Sequence, residues 1–232
     1  IRKIQKITQE ACDGLHGVSA SQVEMNSGIQ FFDGIETKDI QKILVKSASD
    51  LISLEAPNYE YVAARLLLYG LRKNVFGEYE YPSLLEHVKH NIDRGVYDKE
   101  LLSYYDEDEW SKLDAMIYHQ RDLNFTYAGL QQVVDKYLVQ DRSNGDIYET
   151  PQFMYLLIAA TLFAQYPKET RLSYVKRYYN AISLFKINIP TPVMSGVRTP
   201  IRQFASCVLV DVDDTLDSIF NSDSAIGYYV SQ

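Results

Sequence analysis

The sequence has few cysteines and no long apolar run, and these two features argue against secreted disulfide-rich domains and against membrane-spanning proteins. Two cysteines, Cys12 and Cys207, occur among the 232 residues. The sequence therefore argues against a disulfide-stapled secreted domain and predicts a reducing compartment, the cytoplasm. No run of 18 or more apolar residues occurs, so we expect no membrane span. The first residues also lack the apolar centre of a secretory signal.

Basic charge is also in short supply. The sequence has 23 lysines and arginines against 31 aspartates and glutamates, a formal net charge of −8. A protein that binds duplex nucleic acid needs a basic surface to meet the phosphates, so the charge argues against this class. Nucleotide binding stays open, because a few local cations and helix N-termini can hold a triphosphate on an acidic protein.

The common signature motifs of enzymes are missing as well. The sequence contains no P-loop, no dinucleotide-binding glycine motif, no nucleophile elbow and no zinc-protease motif. His87 and His90 lie three residues apart on one predicted helix, so both could face a metal ion. No carboxylate-rich or cysteine-rich pattern accompanies them, and we therefore expect no metal site.

Helical periodicity dominates the first 185 residues, and 46% hydrophobic content is enough for one large core or two small ones. Four segments predict a small bundle: a stripe from Ile4 to Cys12, a helix from Ser19 to Phe31, a helix capped by Thr37, and an apolar helix ended by Gly77. A second block follows, with helices predicted from Pro82 and over 107–119, 127–136, 151–165 and 168–184, and a hairpin at Asn144-Gly145.

The character of the sequence changes at about Lys186. Residues 187–212 hold three prolines, a glycine and a β-branched run, which predicts a loop followed by a buried strand. Helical periodicity resumes from Asp213. A helical region that leads into loop, strand and helix is typical of the first unit of an α/β domain.

Cys207 stands at the start of the predicted strand, in ASCVLV, and two interpretations of it stay open. A lone cysteine in a strand is commonly a small hydrophobic residue. A reactive thiol is favoured by the hydroxyls of Ser206 and Thr191 and by a lead-in rich in proline and glycine, which can shape a pocket. Redox chemistry needs a second thiol, and Cys12 belongs to a different helical block, so that thiol would lie on polypeptide outside this sequence.

Asp213 and Asp214 also admit two interpretations. Either aspartate can cap the last helix at its N-terminus. Alternatively, Asp214 accepts hydrogen bonds from a ribose while the start of the helix faces phosphates. Thr37 and Lys73 also have adequate structural explanations: Thr37 can cap a helix, and Lys73 is a cation near a helix C-terminus, where the helix dipole favours positive charge.

Three long strings carry a resemblance to a known family: SLEAPNYEYVAARLLLYGLRKNVFG, KYLV followed by GDIYETPQF, and IPTPVMSGVRTPIRQFASCVLV followed by DTLDSI. Through them the chain resembles the large subunit of class I ribonucleotide reductases of the enterobacterial and T-even-phage type. The resemblance covers essentially the whole sequence.

The resemblance implies a mainly α protein in three parts. Residues 1–77 would form a truncated ATP-cone helical bundle, a module that senses ATP against dATP. Residues 78–185 would form the N-terminal helical domain. Residues 186–232 would lead into the first strand and helix of a ten-stranded α/β barrel, with the last helix at a dimer interface. The cone is expected to be truncated because the family's leading Lys-Arg-Asp-Gly segment would precede Ile1.

The resemblance also implies roles for individual residues. Cys207 matches the catalytic redox cysteine that reduces the 2′ position of the substrate and ends in a disulfide. The other matches are Thr191 and Ser206 with substrate-binding positions, Asp214, Thr215 and Leu216 with the specificity effector site, Thr37 and Lys73 with nucleotide contacts of the cone, and Tyr69 with an aromatic position there.

The cofactors and partners follow from the same resemblance. The chain would bind no cofactor directly; ATP and deoxynucleoside triphosphates would be effectors, and the metal cofactor of a small subunit would supply the radical. Partners would be the remainder of the large subunit, a second large subunit, the small subunit, thioredoxin or glutaredoxin, and nucleoside diphosphates, with no nucleic acid and no membrane. The family's other redox and radical residues are not in this sequence, so the chain alone is expected to be inactive. The alternative is a stand-alone helical module that senses nucleotides or docks on a partner without catalysis.

Overall fold

The computed structural model describes residues 2–28 and 30–231 and is mainly helical. Within those residues the α-helices are α1 (Arg2–Cys12), α2 (Ala20–Gly28), α3 (Thr37–Ser49), α4 (Tyr59–Phe76), α5 (Leu84–Asp93), α6 (Leu101–Tyr104), α7 (Glu107–Asp114), α8 (Tyr127–Gln132), α9 (Pro151–Phe163), α10 (Lys168–Ser183), α11 (Thr191–Gly196) and α12 (Leu216–Val230). A 3₁₀-helix spans His119–Asn124, a π-helical turn spans Val133–Tyr137, and strands β1 (Gln140–Asp141) and β2 (Asp146–Ile147) pair antiparallel. No helix in this described part is long and apolar enough to cross a membrane.

Helix α9 lies at the centre of the larger of two hydrophobic cores. Its residues 151–160 are all buried, as expected for a helix that is apolar on every side. Pro151 occupies the first turn, where its missing N–H costs no helical hydrogen bond. Helix α10 packs along α9, and the Tyr179 hydroxyl donates to the side-chain carbonyl of Gln152 at 2.6 Å. The helix predicted over 151–165 is confirmed as far as Phe163.

Helices α1 to α4 enclose a second, smaller core, which includes Ala11, Val23, Leu44, Val62 and Leu66. Arg65 ties α4 to the end of α1 by donating to the main-chain carbonyls of Ala11 at 3.1 Å and Asp13 at 2.7 Å. Helix α4 also buries Leu68 and Leu71 in the larger core. One helix therefore contributes to both cores. It ends at Gly77, as predicted, with a left-handed backbone that favours glycine (φ +76°).

The predicted hairpin is present between the second helical block and α9. Gln140 pairs with Ile147 and Asp141 with Asp146. Gly145 adopts a left-handed backbone with φ of +82°, which is why the turn needs glycine at this position. Glu149, two residues after β2, is carried into the larger core with no exposed surface.

Three predicted helix boundaries differ in detail from the structure. Thr37 is not the cap of α3 but its first residue, because the last extended residue is Glu36. The last helix is capped by neither Asp213 nor Asp214. The Thr215 hydroxyl accepts the N–H of Ser218 at 3.2 Å instead, since the capping residue must sit directly before the first helical turn. The helix predicted over 107–119 ends at Asp114.

Residues 187–212 depart most from prediction. Helix α11 occupies part of the expected loop, because Pro192 falls in its first turn, where proline is compatible with a helix. The prediction of a buried strand in this region is wrong. Residues 201–213, all of them described, form no helix or strand and are exposed. An isolated strand cannot be stable without a neighbour to accept its hydrogen bonds.

Candidate functional site

Cys207 offers a free thiol on an exposed segment. It makes no disulfide, and its sulfur lies 3.7 Å from the Ser206 hydroxyl oxygen, within hydrogen-bonding range for sulfur. The segment also exposes large apolar side chains, among them Leu209 at 98%. Exposed apolar side chains of this kind are typical of surfaces that bind a protein or a ligand. Cys207 therefore lies within an exposed, partly apolar segment.

Thr191 and the predicted specificity residues lie at two helix starts. Thr191 is the first residue of α11 and is half-buried. Asp214 directly precedes Thr215, the cap of α12, and Leu216 is the first helical residue with 71% of its surface exposed. The start of α12 thus presents a carboxylate, a hydroxyl and main-chain N–H groups together. Helix N-termini of this kind favour phosphate.

A fully buried ion pair ties the segment before Cys207 to the larger core. Arg198 donates through Nε to Glu149 Oε2 at 2.7 Å, and neither side chain has exposed surface. The Tyr97 hydroxyl donates to the same carboxylate oxygen at 2.6 Å, and the Val139 N–H donates to the other at 2.7 Å. A charge pair taken out of water is stable only when its remaining hydrogen-bonding capacity is used, and these contacts use it.

His87 extends this buried polar cluster. Its Nε2 lies 3.2 Å from the Tyr97 hydroxyl, and its ring stacks on Phe153 with centroids 4.5 Å apart. Burial lowers the pKa of His87 to about 4, so the imidazole is neutral at pH 7, and burial raises the pKa of Tyr97. His90 is exposed. Among the described residues, no three His, Cys, Asp or Glu side chains lie together in a way that could hold a metal ion.

Lys73 lines a cavity of about 450 Å³ between α1 and α4. Lys3, Lys6 and Arg72 bring three further cations to it, and Tyr69 supplies an aromatic face. Burial raises the pKa of Tyr69, so its hydroxyl stays protonated and can donate. The cavity also contains carboxylates, from Glu10 and Glu80. Four cations around one cavity suit an anionic ligand such as a phosphate chain.

Sequence reasoning singled out Lys73 and Tyr69 but missed Lys3 and Lys6, two further cations of this cavity. The spacing of Lys3 and Lys6 could have identified them, because residues three apart in a helix share a face. Thr37 is exposed at the start of α3 and is not among the residues that line the cavity. The structure thus brings one of the two predicted nucleotide contacts to this cavity.

Comparison with known proteins relates these features to a family. The family model for the ribonucleotide reductase all-alpha domain matches residues 123–202. Over 230 residues the chain is 54% identical to ribonucleoside-diphosphate reductase 1 subunit alpha of Escherichia coli (strain K12), a match that covers 99% of this chain. The chain belongs to the ribonucleotide reductase large-subunit family. It is also 44% identical to the alpha subunit of Enterobacteria phage T4, over 98% of its length.

The chain spans 30% of the length of these ribonucleotide reductase relatives. The alpha subunit of Helicobacter pylori (strain ATCC 700392 / 26695) is more distant, with 34% identity over 96% of this chain. The region that matches the all-alpha domain begins after Asp122 and ends at Arg202. It therefore contains Glu149 and Arg198, the buried ion pair, and stops five residues before Cys207.

Proposed function

We propose that the chain is the part of a ribonucleoside-diphosphate reductase large subunit that supplies one of its two reducing cysteines, Cys207. The observation that carries the proposal is the free, exposed thiol of Cys207 beside the Ser206 hydroxyl, in a chain that belongs to this family. Ser206 and Thr191 would bind the nucleoside diphosphate. The remaining barrel, and therefore the complete site, would come from polypeptide outside residues 1–232, either the same chain or a partner chain.

The proposed reaction replaces the 2′-hydroxyl of a ribonucleoside diphosphate with hydrogen. Two thiols become one disulfide and release two electrons and two protons, and the hydroxyl leaves as water. Cys207 provides one thiol, and the second belongs to a cysteine outside residues 1–232. Cysteine fits this role because a thiol is oxidised reversibly to a disulfide, which a dithiol reductant such as thioredoxin or glutaredoxin can reopen. A radical-generating small subunit would start the reaction with its metal cofactor.

The specificity effector would bind at the start of α12. Asp214 can accept hydrogen bonds from a ribose, while Thr215 and the adjacent N–H groups face the phosphates of ATP or a deoxynucleoside triphosphate. Helix α12 exposes apolar side chains along its length, including Phe220 at 64% and Val230 at 77%. An apolar helix face of this kind suits a large-subunit dimer interface. The effector would then lie beside the second subunit.

The cavity between α1 and α4 would bind the effector that sets overall activity. Lys73 and its neighbouring cations would pair with the phosphates of ATP or dATP. The cavity draws its lining from α1, α4 and the residues just after α4. For this reason a nucleotide-sensing module without chemistry is the second candidate function. The proposed setting of both candidates is the cytoplasm.

The test uses the complete large subunit that carries this chain, mixed with its small subunit and a dithiol. We expect it to reduce nucleoside diphosphates to deoxynucleoside diphosphates, with the rate dependent on ATP. Lys73→Ala removes one charge-assisted contact with phosphate, so the ATP concentration for half-maximal stimulation should rise about 10-fold. Lys89→Ala is the matched control, because Lys89 is exposed on α5 and outside the cavity.

The outcomes separate the two parts of the proposal. If the wild-type assembly binds ATP but forms no deoxynucleotide under any condition, the reductase assignment fails and the nucleotide-sensing module takes its place. If the wild type reduces its substrate and the ATP dependence of Lys73→Ala equals that of Lys89→Ala, only the effector cavity is refuted.

A further inference from the structure

Two arginines fix the chain on the approach to Cys207. We propose that Arg198 and Arg202 form a clamp that sets the position of Ser206 and Cys207 relative to Thr191, so that both arginines are positioning residues for the reduction. This inference rests on the proposed function. The two arginines stand between the predicted substrate contact at Thr191 and the reacting thiol, and they hold the intervening chain against the helical core.

Arg198 joins four separate parts of the molecule. Besides its ion pair with Glu149, its guanidinium donates to the carbonyls of Met194 at 2.5 Å and Tyr137 at 3.0 Å. Its own carbonyl accepts the N–H of Asp98 at 3.0 Å. Met194 belongs to α11, the helix that Thr191 begins. The end of α11 is therefore fixed to the π-helical turn, to the entrance of α9 and to the loop before α6.

Thr199 and Arg202 continue the attachment. The Thr199 hydroxyl donates to the Gly196 carbonyl at 2.8 Å and accepts the N–H of Ile201 at 3.2 Å. The Arg202 guanidinium pairs with the Asp98 carboxylate and donates to the Thr199 carbonyl at 3.0 Å. Asp98 thus meets both ends of the clamp, through its N–H to Arg198 and through its carboxylate to Arg202.

The attachment weakens immediately after Arg202. Residues 203–213 are exposed, and their hydrogen bonds with α12 are isolated ones, such as that from the Tyr229 hydroxyl to the Ala205 carbonyl at 3.3 Å. Cys207 lies five residues beyond Arg202, a distance of at most about 18 Å along an extended chain. The position and direction of the chain at Arg202 therefore limit the positions that the Cys207 sulfur can occupy. A displacement of about 1 Å at a reacting group can cost on the order of 100-fold in rate.

Arg202 allows a test that leaves the fold in place. Its side chain is 55% exposed, and exposed ion pairs contribute little to stability. In the complete enzyme we expect Arg202→Gln to lower kcat roughly 10-fold to 100-fold, with the KM for nucleoside diphosphate within about twofold and the Tm within about 3 °C. Arg202→Lys keeps the charge and should recover part of kcat. Asp98→Asn removes the charge of the nearer of the two carboxylates paired with Arg202, so its effect should not add to that of Arg202→Gln.

The matched control is Arg142→Gln, an exposed arginine in the hairpin loop, which should leave kcat unchanged. The clamp is overturned if Arg202→Gln retains kcat within twofold of the wild type, or if its loss of kcat equals its loss of folded protein. If Arg202→Lys lowers kcat as much as Arg202→Gln does, the clamp is also overturned, because a positive charge at this position would then have no effect on kcat. A wild-type enzyme that fails to reduce nucleoside diphosphates refutes the proposed function, and the clamp with it. A working wild type with a silent Arg202→Gln refutes the clamp alone.

Discussion

Cys207→Ser is expected to abolish multiple turnover by the assembled enzyme when a dithiol is the reductant. A serine hydroxyl cannot form a disulfide, so the two electrons needed at the 2′ carbon have no source on this side of the substrate. We expect kcat to fall at least about 1000-fold, which corresponds to about 4 kcal/mol in the activation barrier. The measurement is the yield of deoxynucleoside diphosphate per enzyme over many turnovers.

The matched control for this substitution is Cys12→Ala. Cys12 is 8% exposed and packs in the smaller core, and burial raises the pKa of its thiol. A protonated, buried thiol is a poor nucleophile, so its removal should leave turnover unchanged. Normal multiple turnover in Cys207→Ser would contradict the assignment of this cysteine. A fall in turnover in Cys12→Ala but not in Cys207→Ser would assign the redox role to Cys12, and would equally contradict the assignment of Cys207.

Glu149→Gln is expected to cause the largest loss of stability among conservative substitutions in the chain. The change leaves the Arg198 guanidinium buried without a counter-charge, and removing one partner of a buried ion pair costs about 3–5 kcal/mol. That is a large fraction of the roughly 5–15 kcal/mol that stabilises a typical domain. The free energy of unfolding of the chain, measured with urea, would report the loss.

Two further variants make this result interpretable. Glu55→Gln removes a carboxylate from an exposed turn and should change the free energy of unfolding by no more than about 0.5 kcal/mol. The double variant Glu149→Gln/Arg198→Met removes both charges and should recover most of the stability, because a well-packed apolar pair can replace a buried ion pair. A free energy of unfolding for Glu149→Gln within about 1 kcal/mol of the wild type would show that the pair is not needed.

The elements with strong local signals could be predicted from the sequence. Helix α9 is apolar on every side and starts with Thr150-Pro151, α4 ends at a glycine that adopts positive φ, and Asn144-Gly145 marks the hairpin. In each case a few adjacent residues determine the backbone. The resemblance to the reductase family, confirmed by comparison with its members, likewise depended on long contiguous strings.

Features that depend on distant partners could not be predicted in the same way. Glu149 and Arg198 are 49 residues apart, and no local pattern indicates that they meet. Helix α11 was missed because its prolines suggested a loop, although one of them falls in the permissive first turn. The strand expected around Cys207 has the right composition but lacks a neighbouring strand among residues 2–28 and 30–231. The roles of Thr191, Ser206, Asp214, Thr215 and Leu216 stay predictions.

The redox state of Cys207 across a single turnover tests the central claim most directly. The enzyme would be reduced, freed of dithiol, mixed with substrate, effector and small subunit, and then alkylated and digested for mass spectrometry. In a sample taken before substrate is added, we predict that Cys207 is a free thiol and is therefore alkylated. After one equivalent of deoxynucleotide has formed, it should be found in a disulfide with a cysteine outside residues 1–232. If the same amount of product forms and Cys207 is afterwards still a free thiol that alkylates fully, the account is contradicted.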